Sequence, residues 1–347
     1  MDGSTSATTP LEQFIELVDA VHARNAKIMI DIAPNHTGWA ADLHETHPQW
    51  LVRDKEGKIE APGAWGVVWE DLTRLNYNYK ELWQYMADVF LTWCRRGVDG
   101  FRCDAGYMIP VSAWSYIIAS VREEFPDAIF FLEGLGGKIS VTRDLLNTAN
   151  FNWAYSELFQ NYDRGQIERY LPEALGISRN DGIMVNFAET HDNNRLASSS
   201  FSYASMRVAL CALSSPNGGF GFTNGVEWYA TEKIDVHDAR SLNWGAQTNQ
   251  TRWLRQIHHL LRTHPAFFEQ TDIRLIQKGQ GNNIVIFRNH RPSGKKLVIL
   301  VNLGADHPTT VWWDPHDTEI HTTHYMDLLC GEPVDVNIHG ELYACNL

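Results

Sequence analysis

Three acidic residues stand where apolar runs stop. Asp104 closes Gly97-Val98-Asp99-Gly100-Phe101-Arg102-Cys103-Asp104, Glu133 closes Ala128-Ile129-Phe130-Phe131-Leu132, and Asp192 follows Ile183-Met184-Val185-Asn186-Phe187 within Glu189-Thr190-His191-Asp192. A fourth run, Lys27 to Ile32, ends in Ala33-Pro34-Asn35-His36. Carboxylates and imidazoles gathered at strand ends can supply a nucleophile, a proton donor and hydrogen bonds to a polar substrate. Arg102 and Asp104 are two residues apart, so a strand puts both on one face and Cys103 on the other. A permanent cation beside a carboxylate favours its charged form and limits its freedom, which suits a nucleophile. Glu133 follows Ile-Phe-Phe-Leu, where desolvation raises a carboxyl pKa, as a donor requires. Retaining glycoside hydrolysis uses such a pair, about 5–5.5 Å apart. On the bland alternative, Asp104 is a helix cap beside an incidental arginine.

The elements that position these residues alternate. Thr9-Pro10-Leu11-Glu12 reads as a capping box with proline at the first helical position, and Leu11, Phe14, Ile15, Val18 and Val21 form one helical stripe. Lys27–Ile32 reads as a parallel strand buried on both faces. Helices are expected from Glu81 to Trp93, Pro110 to Phe125, from Val141, Gln166 to Leu175, Met206 to Leu213 and Gln250 to Arg262. Strands are expected at Arg102–Asp104, Ala128–Leu132, weakly at Phe151–Trp153, at Ile183–Phe187 and at Gly219–Phe222. The alternation argues a parallel α/β sheet with the polar residues at its C-terminal mouth. Residues 37 to about 78 lack a clean period and read as an excursion over that mouth. Its Trp39, Trp50, Trp65 and Trp69 are either the excursion's private core, the favoured reading for most of them, or sugar platforms. After His264-Pro265 short strands are parted by turns, which argues a separate all-β domain. The layout is a leader over residues 1–8, a catalytic region over 9–264 and a C-terminal β-sandwich over 265–347.

The 347 residues carry a net charge of −13, which disfavours a nucleic-acid or anionic-membrane partner. Thirteen tryptophans supply a core or stacking faces for sugars. Cys94, Cys103, Cys211, Cys330 and Cys345 have no metal-site spacing and read as reduced thiols. With no membrane-length apolar run and no signal-peptide core, a cytoplasmic location is expected.

Taken together, the motifs resemble the α-amylase family, glycoside hydrolase family 13. Asp31-Ile32-Ala33-Pro34-Asn35-His36, Gly100-Phe101-Arg102-Cys103-Asp104, Phe131-Leu132-Glu133-Gly134 and Phe187-Ala188-Glu189-Thr190-His191-Asp192 are similar, in order, to its four short sequence regions. The resemblance implies a (β/α)8 TIM-type barrel plus a C-terminal all-β sandwich. It implies a retaining hydrolase of α-1,4-glucans, with Asp104 as nucleophile, Glu133 as acid/base and Asp192 as a ligand of sugar hydroxyls. His36, His191, Arg102, Asn35 and Tyr107 would serve substrate binding and the positioning of Asp104. His47-Pro48-Gln49-Trp50, Arg53-Asp54, Gly57-Lys58-Ile59 and Gly225-Val226-Glu227-Trp228 are also similar to bacterial maltosyltransferases that extend glucan from maltose-1-phosphate. Transfer is therefore the alternative to hydrolysis, and a non-catalytic glucan-binding homologue is a third reading.

Two departures from the family pattern stand out. Gly106 and Tyr107 occupy places where many α-amylases have Lys and His, so no cofactor is expected and a calcium site, for which Asn35 would be one ligand, is not favoured. Six strands are counted from the Lys27 run to Gly219–Phe222, so the barrel is expected to lack its first two βα units. Open edges of that kind would invite self-association. The expected partner is an α-glucan oligosaccharide or polysaccharide.

Overall fold

The computed structural model describes residues 8–64, 66–235, 238, 241–276 and 281–347. Seven of the eight leader residues, and Trp65, lie outside the described residues. The chain divides into two compact units, Met1–Tyr155 and Ser156–Leu347.

The first unit opens with helix α1 (Pro10–His22). Its capping box forms: the Glu12 amide donates to Thr9 Oγ1, and the Thr9 amide donates to the Glu12 carboxylate. Of the expected stripe, Val18 is buried, whereas Leu11 and Ile15 are exposed. Strands β1 (Met29–Ile32), β6 (Gly100–Cys103), β7 (Ile129–Leu132) and β8 (Trp153–Tyr155) pair in parallel in that spatial order. Between β1 and β6 the excursion contains β2 (His36–Gly38), the short helix α2 (Leu43–Thr46), β3 (Gly63–Ala64), β4 (Val67–Val68) and β5 (Leu72–Arg74). β2 pairs with β5 and β3 with β4, both antiparallel. Trp50 is buried and stacked on His47, so it is core, while Trp39 is half exposed. Helices α3 (Lys80–Cys94), α4 (Val111–Glu124) and α5 (Ile139–Asn147) follow β5, β6 and β7 in turn. Phe90, Phe101, Phe130 and Trp114 are fully buried and pack edge-on or tilted between α3, α4 and the sheet. The chain leaves α3 through Gly97 at φ +90°, where a Cβ would also meet Val18 Cγ1 at 2.8 Å.

Two strand expectations need correction here. β1 is half-buried with Asp31 exposed, not buried on both faces, because it borders this four-stranded set. The weak strand lies at Trp153–Tyr155, two residues beyond the sequence reading; Asn152 leads into it, its amide donating to the Phe130 carbonyl and its side chain accepting from the Phe130 amide.

The second unit carries α6 (Arg164–Asn180), β9 (Ile183–Val185), α7 (Phe201–Leu213) and α8 (Thr251–Thr263). The Gly219–Phe222 run is not a full strand. It reaches Asn186 through one parallel bridge at Phe220, with two backbone hydrogen bonds. Position 221 excludes a side chain, since a Cβ on Gly221 would lie 2.5 Å from the Phe187 ring. Beyond α8, β10 (Thr271–Ile276), β11 (Asn283–His290) and β12 (Lys295–Asn302) form one antiparallel sheet. β13 (Thr310–Trp313), β16 (Asn337–His339) and β17 (Leu342–Asn346) form another. The helix α9 (Pro315–Thr318) and the pair β14 (His324–Met326) and β15 (Pro333–Asp335) complete the unit.

Arg288 of β11 is fully buried and donates to the carbonyls of Ala266, Leu213 and Ser215 at 2.7, 2.7 and 2.9 Å. Its guanidinium also lies 4.2 Å from the Phe267 ring centre. No carboxylate is among these partners, so peptide dipoles and the ring face satisfy the cation. Arg288→Met keeps most of the volume but strips three buried carbonyls of their donors. A loss of about 3–5 kcal/mol is expected, read as a fall in the urea midpoint at constant slope. An unchanged midpoint would contradict this account.

Candidate active site

The site in the first unit follows from strand register. β1 and β6 pair with Asp31 opposite Arg102. β6 and β7 pair with Cys103 opposite Leu132, which brings the next residues, Asp104 and Glu133, to neighbouring strand ends. β7 and β8 pair with Leu132 opposite Ala154, which brings Glu133 and Tyr155 to neighbouring positions. Asp104, Glu133 and Tyr155 therefore form one row at the C-terminal ends of three parallel strands, the edge where this architecture places chemistry.

Arg102 and Asp104 share a face, as the alternation requires, and Cys103 is buried on the other. Arg102 Nη1 donates to Asp104 Oδ1 at 2.5 Å and to Asp31 Oδ2 at 2.8 Å. One nitrogen thus ties two carboxylates, and the guanidinium is nearly buried between them. The Arg102 guanidinium carbon also lies 5.5 Å from the Tyr155 ring centre; burial raises the Tyr155 hydroxyl pKa, and Arg102 pulls it back down.

Past Asp104 the chain turns sharply. Ala105 takes φ +46°, a left-handed conformation costing an alanine about 1–2 kcal/mol. The turn aims the Ala105 amide at Glu133 Oε2, 2.8 Å away. The Leu135 amide donates to Glu133 Oε1, also at 2.8 Å. These two bonds and the nearby Arg102 favour the charged carboxylate, yet burial outweighs them and raises the Glu133 pKa to about 7. That value lets one group hold a proton in the first half of a reaction and accept one in the second.

Tyr107 stands beside both carboxylates: burial, then Glu133 and Asp104, pushes its hydroxyl up to about 12. Its ring packs on Gly137, where a Cβ would come within 3.1 Å of two ring atoms and of the Tyr107 Cβ. Gly106 is as confined, since a Cβ there would lie 2.6 Å from Leu132 Cδ1, and its carbonyl accepts from Trp114 Nε1 at 2.8 Å. A longer side chain at position 106 would require Leu132 to move.

His36 is half-buried with its ring edge-on to Trp69, 5.7 Å away. Burial lowers its pKa, opposed by Asp104 and Asp71, which favours a neutral ring able to donate one hydrogen bond. Asn35 is buried, and its amide donates to the Met108 thioether at 3.1 Å. Among the described residues no group of three or more His, Cys, Asp or Glu is spaced to hold a metal ion.

His191 and Asp192 belong to the second unit. His191 Nε2 lies 3.4 Å from Asp192 Oδ2, and Asp192 is open to solvent. Their loop is anchored by a buried pair, Arg195 Nε to Glu189 Oε1 at 2.6 Å. The Leu196 amide donates to Glu189 Oε2, and Thr223 donates to the Glu189 carbonyl. Glu189 is thus an anchor in a motif whose last residues face outward.

Asp31, Ala105 and Tyr155 carry no assignment in the sequence reading. Asp31 stands within the Asp31–His36 motif, and its pairing with Arg102 needs the register. Tyr155 lies beyond the weak strand that the sequence signals.

A parallel sheet with two carboxylates at neighbouring strand ends defines the class: an α/β protein with polar side chains gathered at one mouth. Residues 10–167 match the family model described as Alpha-amylase, catalytic domain. That match supports the resemblance of this segment to the α-amylase catalytic domain. The chain is 26% identical over 95% of its length to an alpha-1,4-glucan:maltose-1-phosphate maltosyltransferase of Cereibacter sphaeroides, covering 49% of it. A relative of the same name from Rhodospirillum rubrum is 23% identical over 85% of this chain and 44% of its own. The chain thus spans about half the length of the curated relatives it matches. In fold it is similar to an alpha-amylase from Lactobacillus plantarum, with a TM-score of 0.76 at 23% identity over 97% of this chain and 82% of that one. It is also similar to the Geobacillus thermoleovorans alpha-amylase complexed with acarbose, with a TM-score of 0.78 at 17% identity over 97% of this chain and 78% of that one. Among the described residues no helix is long and apolar enough to cross a membrane.

Proposed function

We propose that the chain processes α-1,4-glucans by double displacement and passes the sugar to another glucan rather than to water. The row of Asp104 and Glu133 carries this reading, one carboxylate tied to Arg102 and the other buried with its pKa raised to about 7. Asp104 attacks the anomeric carbon while Glu133 gives its proton to the departing oxygen. The acceptor hydroxyl then loses a proton to the Glu133 carboxylate and displaces Asp104. His36 and Tyr107, and His191 and Asp192 of the second unit, are the proposed ligands of sugar hydroxyls, and Asn35 supports the turn beside them. The maltosyltransferase names of the relatives support transfer. Incubation with maltose-1-phosphate and glycogen tests it: phosphate release with chain extension is expected. Release of reducing sugar from starch, with no use of the phosphate donor, would favour hydrolysis, the second reading, in which water takes the acceptor's place.

The same proposal takes residues 9–264 as a (β/α) barrel region with six of the barrel's eight βα units and an excursion over 37–78. Residues 265–347 form the C-terminal β-sandwich, the location is cytoplasmic, and the barrel edges favour self-association. It needs no calcium. The tight fit of Gly106, at a place where many α-amylases carry Lys, supports that. Dialysis against chelator is expected to leave the melting temperature unchanged, because a tightly bound ion stabilises the folded state by RT ln(1 + [L]/Kd). A fall reversed by added calcium would overturn this part.

A further inference from the structure

Tyr155 is the third member of the row that holds Asp104 and Glu133, and the retaining mechanism described above gives it no task. Its strand, β8, pairs with β7 in a register that sets Phe131 opposite Trp153 and leaves Tyr155 beside Glu133. The Tyr155 ring packs on Phe131 with centres 4.7 Å apart, so it has little freedom to swing. Its ring centre lies 5.5 Å from the Arg102 guanidinium carbon, close enough for the cation to act on its hydroxyl. Arg102 is thus held from two sides. The Asp31 carboxylate takes Nη1 from β1, and Tyr155 engages the guanidinium from β8. The same Nη1 meets Asp104. A planar guanidinium fixed at two edges can offer its remaining donor direction to only one place.

We infer that Tyr155 is a positioning residue: from β8 it fixes the plane of Arg102, and through Arg102 it sets the orientation of the Asp104 carboxylate. The inference rests on the reading of Asp104 as nucleophile. Burial pushes the Tyr155 hydroxyl pKa up while Arg102 beside it pulls back, so the hydroxyl stays neutral near pH 7 and adds no competing charge. Loss of the hydroxyl therefore acts on geometry, not on the charge balance around Glu133.

The test is Tyr155→Phe, which keeps the ring on Phe131 and removes the hydroxyl. It is expected to lower kcat about tenfold, the scale of one lost polar contact, with little change in KM. The loss should be equal on glucan and on an α-glucosyl fluoride, because a misplaced nucleophile slows attack on both. Tyr155→His, which restores a polar ring, should recover part of the loss. In an Arg102→Lys background Tyr155→Phe should add almost nothing, because both act through one contact. A loss confined to glucans would instead put Tyr155 on the Glu133 side, and additive losses with Arg102→Lys would give it an independent role; either overturns the inference. A crystal structure of Tyr155→Phe decides the matter without activity: Arg102 meeting Asp104 as before would overturn it, and a turned guanidinium would support it. If the unaltered chain turns over neither glucan nor fluoride, the functional reading fails, while the crystallographic arm still judges Tyr155.

Discussion

Asp104→Asn is expected to reduce turnover by at least about 10³-fold, about 4 kcal/mol of transition-state stabilisation. The substitution keeps the shape of the side chain and removes the charge that, in the proposed mechanism, forms the bond to the anomeric carbon. The effect should be confined to chemistry. Arg102 retains Asp31 as a partner at 2.8 Å, so the guanidinium is not left as an unpaired buried charge. The melting temperature should therefore move far less than Arg288→Met moves the urea midpoint. Release or transfer of sugar within tenfold of the unaltered protein would remove Asp104 from the nucleophile's role. A large loss shared by binding and folding would reduce it to a structural residue.

The second large effect belongs to Glu133. Glu133→Gln cannot give a proton, so natural glucans, whose leaving oxygen needs one, should lose about 10²–10⁴-fold in rate. Glucosyl fluorides need little protonation and should be largely spared in the first step. The pH dependence follows from the raised pKa of about 7. The protonated form needed for the first step predominates below that value and is lost above it, so kcat/KM on glucans should fall as pH rises through about 7. In Glu133→Gln acting on the fluoride that limb should vanish. The same shift has a sign for stability. Between the ordinary carboxyl value near 4.5 and about 7 the folded state binds more protons than the unfolded one, so this group's contribution to stability declines as pH climbs through that window. Equal losses on glucan and fluoride, or an upper limb unmoved by the substitution, would assign proton transfer to another group.

The helix start at Thr9–Glu12, the strand–helix alternation and the apolar runs that end in Asp104 and Glu133 were legible from sequence alone. Capping, 3.6-residue spacing and the two-residue period of a strand are relations between near neighbours, so they survive without a structure. The shared face of Arg102 and Asp104 is of the same kind. Register is not. That Asp31 stands opposite Arg102, and that Tyr155 comes level with Glu133, depends on how β1 and β8 slide against their neighbours, and a one-residue slip would turn every side chain to the other face. The left-handed turn at Ala105 was equally hidden, because alanine gives no local signal for it; the turn is held by an amide bond to a residue 28 positions away. The pKa of Glu133 joins both levels. Ile129–Leu132 made an apolar setting foreseeable, but only the tertiary structure set burial against two backbone donors and Arg102 and decided that burial prevails.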